Sequence, residues 1–183
     1  MEENSLAMVE LRRLASTVEA VEVFRDRLTR EPLVGAILGV SPHVVVLELS
    51  DPERGMGGVT AFRPADITRL RTGGRALELS TQRLREKPKR SPLDDIALLE
   101  LSSAVTVFQR SAPLITLFLE ELDPETALIG RMEAVDDDYV LLDAVAPLDR
   151  LERTRMVIRY DEITRVAADG SYEQGLARSY GLL

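Results

Sequence analysis

The chain has 183 residues, of which 45% are apolar and 30% charged, with 23 Lys plus Arg against 31 Asp plus Glu, one His and no Cys or Trp. That length supports a real hydrophobic core, since a folded chain of this size buries roughly 70% of its extended surface. The missing cysteines exclude disulfides, thiolate catalysis and Cys-based zinc sites, and the net charge of −8 argues against a general nucleic-acid binder.

The acidic start, Met1-Glu2-Glu3-Asn4-Ser5, leads to no continuous apolar run, so the expectation is a cytoplasmic protein with no membrane partner. Charge is unevenly shared. Residues 1–92 carry 15 basic and 13 acidic side chains, net +2, whereas residues 93–183 carry 8 and 18, net −10.

An internal duplication organises the chain. Leu33-Val34-Gly35-Ala36-Ile37-Leu38-Gly39-Val40 aligns with Leu128-Ile129-Gly130-Arg131-Met132-Glu133-Ala134-Val135, and Val45 and Leu47 align with Val140 and Leu142. After one slip, Asp66-Ile67-Thr68-Arg69-Leu70 meets Glu162-Ile163-Thr164-Arg165-Val166, and Gly74 meets Gly170.

In chain order, the first copy begins with a helix carrying Ala7, Leu11, Leu14 and Val18 on one face. Residues 21–28 follow as a strand or as an extension of that helix. Turns at Thr29-Arg30-Glu31-Pro32 and Ser41-Pro42-His43 then separate strands over Leu33–Val40, Val44–Leu49, Val59–Phe62 and Ile67–Leu70.

The linker Arg83-Leu84-Arg85-Glu86-Lys87-Pro88-Lys89-Arg90 has five basic residues in eight. It is a solvated joint, an anion or nucleic-acid contact, or a strap on the acidic half. The second copy opens on Ser91-Pro92-Leu93-Asp94-Asp95, a helix start with its acids where the helix dipole favours them, and continues with Leu98, Leu101, Val105 and Phe108 on one face. Residues 114–122 are again strand or helix extension, although Pro113 supports a break. Strands follow over Ala127–Val135, Tyr139–Ala144, Arg155–Tyr160 and Ile163–Val166.

This pattern predicts an α+β, mainly β, chain: a helix plus a bent five-stranded antiparallel barrel over residues 1–82, a basic linker over 83–92, and a second helix and barrel over 93–183. Closure would remove the edges that so small an open sheet exposes.

The helix-then-five-strand order, the strand glycines Gly35 and Gly130, and the closing blocks Phe62-Arg63-Pro64-Ala65-Asp66-Ile67-Thr68-Arg69 and Ile158-Arg159-Tyr160-Asp161-Glu162-Ile163-Thr164-Arg165 resemble the Sm-like fold, and within it small bacterial proteins. The resemblance covers most of both repeats. It implies SH3-like barrels that assemble into rings and bind RNA. Pro64 and Ala65, and in the second copy Tyr160 and Asp161, stand where the bacterial RNA chaperone of that family carries a Lys-His pair facing RNA. Val45 and Val140 stand near the place of the Asn in the eukaryotic first motif.

Candidate chemistry is sparse. Asp136-Asp137-Asp138 concentrates hard oxygen ligands, but neighbours on a strand point to opposite faces and no EF-hand spacing is present. His43 has no identifiable partner for acid–base work. Gly55-Met56-Gly57-Gly58 lacks the Gly-Lys-Ser/Thr ending of a phosphate loop. Arg69 and Arg165, at matched positions, either bind an anion or pair with Asp66 and Glu162 or their neighbours.

The reading is a non-enzymatic binding or assembly module that self-associates, with three chains able to close a pseudo-hexamer or, alternatively, the two barrels pairing within a monomer or dimer. No catalytic residue, metal site, cofactor or small-molecule substrate is assigned. The alternative is RNA binding through Arg83, Arg85, Lys87, Lys89 and Arg90, with Arg63 and Arg69 as secondary contacts; a metal-dependent enzyme using Asp136–Asp138 is a third class.

Overall fold

The structure, a computed structural model, describes residues 5–50, 57–86, 100–145 and 153–183. The first half runs α1 (Leu6–Ala15), β1 (Ala20–Phe24), β2 (Leu33–Val40), β3 (Val45–Leu49), β4 (Val59–Phe62), β5 (Arg69–Thr72) and α2 (Arg75–Glu86). The second repeats the order with α3 (Leu101–Ser111), β6 (Ile115–Phe118), β7 (Ala127–Val135), β8 (Tyr139–Val145), β9 (Arg153–Arg159), β10 (Arg165–Ala168) and α4 (Ser171–Ser179). Residues 20–24 and 115–118 are thus strands, not helix extensions.

Two separate five-stranded barrels are not what forms. All ten strands join one antiparallel sheet in the order β5-β1-β2-β3-β4-β10-β6-β7-β8-β9. The outer edge of β4 pairs with β10 of the other half, with Phe62 opposite Arg165 and Ala61 opposite Val166. A small sheet must do something with its edges. Here the halves satisfy two of them against each other, which closure of each half on itself would have precluded.

Local geometry repeats with the sequence. Gly35 faces Leu49 on β3 and Gly130 faces Ala144 on β8. A Cβ at Gly35 would overlap the Glu48 carbonyl, and one at Gly130 the Asp143 carbonyl, so each glycine admits the close crossing of its neighbour strand. Both pairings slip by one residue soon after, between Ile37 and Gly39 and between Met132 and Ala134; such bulges bend and twist a strand.

The core is shared across the join. Met8, Leu11 and Leu14 of α1 pack on Val21, Val23, Ile37, Val45, Leu47 and Phe62. On the other side of the same strands, Val44, Val46, Val59 and Ala61 join Leu101, Ala104, Val105 and Phe108 of α3 and the inner residues of β6, β8, β9 and β10. Both faces of β3 and β4 are therefore buried.

Two further helices, α2 and α4, follow a left-handed residue at matched positions: Gly73 (φ 77°) and Asp169 (φ 61°). Glycine adopts this geometry freely and aspartate tolerates it. α2 lays Leu77 and Leu84 on Ala20 and Ala36. α4 lays Leu176 and Ala177 on Leu114 and Val145, and its end turns at Gly181, with Leu182 N–H donating to the Ala177 carbonyl at 2.8 Å, a Schellman closure. Among the described residues no helix is long and apolar enough to cross a membrane.

Candidate assembly surfaces

Each half builds the same small motif where its first strand meets its last. In the first half the Thr68 N–H donates to the Phe24 carbonyl at 2.9 Å, and the Asp26 N–H donates to the Thr68 hydroxyl at 3.2 Å. Arg69 then clamps the Asp26 carboxylate with two bonds, 3.0 and 2.7 Å, while its guanidinium lies 4.3 Å from the centre of the Phe24 ring. In the second half Thr164, Phe118, Glu120 and Arg165 take these places. The Thr164 N–H meets the Phe118 carbonyl at 2.9 Å, the Thr164 hydroxyl donates to Glu120 at 2.6 Å, and Arg165 stacks on Phe118 and reaches Glu120 at 3.2 Å.

The two copies differ in what reaches them from outside. The Asp26–Arg69 pair stands at the free β5 edge and is half exposed. Glu120 is sealed at the β4–β10 junction, where Arg25 of the first half crosses to it at 2.6 Å; the two side chains are 0% and 1% exposed. Arg25 also lies 5.5 Å from the centre of the Phe62 ring. Its Nε and Nη1, and Oδ2 of nearby Asp66, find no hydrogen-bond partner among the described residues.

Charge states follow from this burial. Desolvation raises the Glu120 pKa, but the hydrogen bond from Arg25 and the charges of Arg165 and Arg25 more than offset it, leaving Glu120 below the usual carboxylate range. Burial pushes Arg165 down to about 10 against the pull of Glu120, so it remains a cation at neutral pH. Burial raises Asp66, with Arg63 and Arg25 opposing. At exposed Asp26 the hydrogen bonds from Arg69 and Thr68 lower the pKa.

Arg25 occupies the place that Leu119 takes in the second half: each carbonyl accepts from the residues three and four further on, Leu28 and Thr29 or Leu122 and Asp123. Of the two roles the sequence allows Arg69 and Arg165, an anion contact or pairing with Asp66 and Glu162 or their neighbours, the structure shows ion pairs with different acids, Asp26 and Glu120, which lie 43 and 45 residues earlier. The Arg-Asp and Leu-Glu dipeptides that follow the two phenylalanines were the signal available, and only the strand pairing gives it meaning.

The RNA-contact candidates are dispersed. Arg63 donates to the Tyr160 carbonyl across the junction at 2.9 Å, and Arg69 is held by Asp26. Arg83 and Arg85 project from the last turns of α2, while Lys87, Lys89 and Arg90, like the helix start at Ser91–Asp95 and Leu98, lie outside the described residues. At the acidic tip the Asp136 carboxylate accepts the N–H groups of Asp138 and Tyr139 at 2.9 and 2.7 Å, which shapes the turn. Among the described residues no three acidic or histidine side chains converge as metal ligands. His43 is exposed and shares a 300 Å³ groove at the junction with Asp137, Arg63 and Tyr160. Of the glycine run, Gly58 is the informative member: a Cβ there would meet the Ala168 carbonyl at 3.0 Å and Gly170 at 3.1 Å, so it serves close approach of the halves.

Among the described residues the sheet ends at two unpaired edges, β5 and β9. At the β9 end Val135, Tyr139 and Val157 are exposed, Val157 by 68%. Their counterparts by register in the first half include Val44 and Ala61, both fully buried beneath α3 and β10. Comparison with known proteins finds no matching family model, no matching curated protein and no matching solved structure.

Proposed function

We propose that this chain is a non-enzymatic assembly module that joins copies of itself by adding strands at the two free ends of its sheet. The observation that carries the reading is the β4–β10 junction. It is a head-to-tail contact between two repeats of one structural unit, formed by the last-but-one strand of the first and the last strand of the second. The same two kinds of edge are free at the ends of the chain, as β9 and β5. Heterologous contacts of this type propagate into a closed ring or an open fibre, depending on the rotation between units.

Exposed Tyr139 and Val157 at the β9 end support the reading, because the matching positions in the first half, Val44 and Ala61, are the ones its neighbour covers. A main-chain ladder between edges supplies affinity, and alternate side chains supply selectivity. Sedimentation equilibrium over a concentration series tests it: the expected result is a reversible rise in mass above the monomer, and a strict monomer throughout the micromolar range would overturn it. Val157→Asp is expected to shift the protein toward monomer while the monomer keeps its fold, checked by circular dichroism at a dilution where the wild type is also monomeric, since an exposed substitution usually changes stability by about 0.5 kcal/mol or less.

A further inference from the structure

The internal junction and the proposed end-to-end join are copies that differ at their centre, where Asp26, Leu119 and Ile158 stand in the places of Glu120, Arg25 and Phe62. At the junction the carboxylate of Glu120 receives three donors: Thr164 and Arg165 from its own half and Arg25 from the other. At the β5 end the equivalent carboxylate, Asp26, receives, among the described residues, Thr68 and Arg69 of its own half. Its third donor would have to come from the incoming unit.

Applying the internal register to the ends sets Ile158 opposite Arg69 and Val157 opposite Leu70 of the next copy, as Phe62 stands opposite Arg165 and Ala61 opposite Val166. The residue that would then approach Asp26 is Leu119, the counterpart of Arg25. A second difference acts in the same direction. Thr154 holds the place of Gly58, whose missing Cβ lets the junction close on Ala168 and Gly170.

We infer that Leu119 and Asp26 set the strength of self-assembly: the Asp26–Thr68–Arg69 cluster is an arginine socket that the chain's own β9 end leaves unfilled, so copies join reversibly while the two halves of one chain stay locked. This rests on the assembly reading above and names the residues that tune it. Arginine suits the socket because its planar fork reaches a carboxylate already clamped from one side, as Arg25 reaches Glu120; the aromatic ring of Phe62 beside Arg25 is replaced by Ile158 at the β9 end.

The test is Leu119→Arg, read by sedimentation equilibrium beside the wild type. The expected result is end-to-end association tighter by about tenfold or more, in line with close charge pairs across interfaces, and reversal of that gain by Asp26→Asn in the same chain. Circular dichroism and melting report whether Leu119→Arg folds. Should it not fold, Thr154→Gly provides the second arm, with tighter association again expected. If the wild type associates and the folded variants leave its constant unchanged, the inference is overturned and the assembly reading stands. If the wild type is monomeric and Leu119→Arg associates in an Asp26-dependent way, the socket stands and the wild-type assembly reading falls. Monomers in every case overturn both.

Discussion

Arg25 gives up its hydration to meet Glu120, and that exchange decides how the junction responds to mutation and to acid. A buried pair is weak evidence of net stabilisation, yet removal of one partner leaves the other charge stranded at a cost of about 3–5 kcal/mol. Arg25→Leu is therefore expected to lower unfolding free energy by an amount in that range, and Glu120→Gln by a similar amount, both measured by urea denaturation at pH 7. Because the folded pKa of Glu120 lies below its unfolded value, its stabilisation is present above the unfolded pKa and is lost as pH falls through the folded one. Glu120→Gln should accordingly flatten the acid limb of the stability profile. Asp66 has the opposite sign: its pKa is raised by burial, so its charge opposes folding at neutral pH and ceases to do so once it is protonated. Asp66→Asn should raise the melting temperature at pH 7 and leave it unchanged at pH 3; a loss of stability at pH 7 would show that the carboxylate has a partner there.

At the level of elements, the two strand glycines and the helix faces of α1 and α3 are legible in the sequence, because each reflects a local constraint. Gly35 and Gly130 stand in otherwise apolar β runs, and each meets a crossing carbonyl. Gly35→Ala is expected to cost about 1–3 kcal/mol, as forced overpacking does, measured by thermal melting. What the sequence does not reveal is which partner each edge takes. Val59–Phe62 reads as the same strand whether it closes on its own half or pairs with Arg165–Ala168, since both faces and both edges are satisfied either way. That is why separate barrels are a natural expectation and a continuous sheet the outcome. α2 and α4 escaped notice for a different reason: each buries only a narrow stripe, Leu77, Ser80 and Leu84 in one and Leu176 and Ala177 in the other, too little periodicity to stand out beside charged neighbours. The acids of the arginine sockets escaped because a 43-residue separation is bridged only once β1 pairs with β5.

For the whole molecule, the repeat makes one chain into two successive units of a series. The charge imbalance between halves places a near-neutral β5 end and an acidic half carrying the β9 end on opposite sides of any join between copies, which favours head-to-tail order over like ends meeting. Arg63 and Arg69 are engaged in protein contacts, so a Ser substitution at Arg83 and Arg85, both exposed on α2, tests the RNA alternative among the described residues. Fluorescence anisotropy with short RNAs at low salt is expected to show no saturable binding, and binding that falls in that variant would favour RNA instead. The most direct measurement uses the absence of native cysteine. Leu70→Cys with Val157→Cys places one thiol on each free edge at residues the internal register sets opposite each other, where Cα separations of about 4.5–5.5 Å fall within the range a disulfide spans, about 4.4–6.8 Å. Under mild oxidation the expected result is a ladder of covalent multimers on a non-reducing gel, absent when Thr72→Cys replaces Leu70→Cys; monomer alone, or an equal ladder from both pairs, would contradict end-to-end assembly in this register.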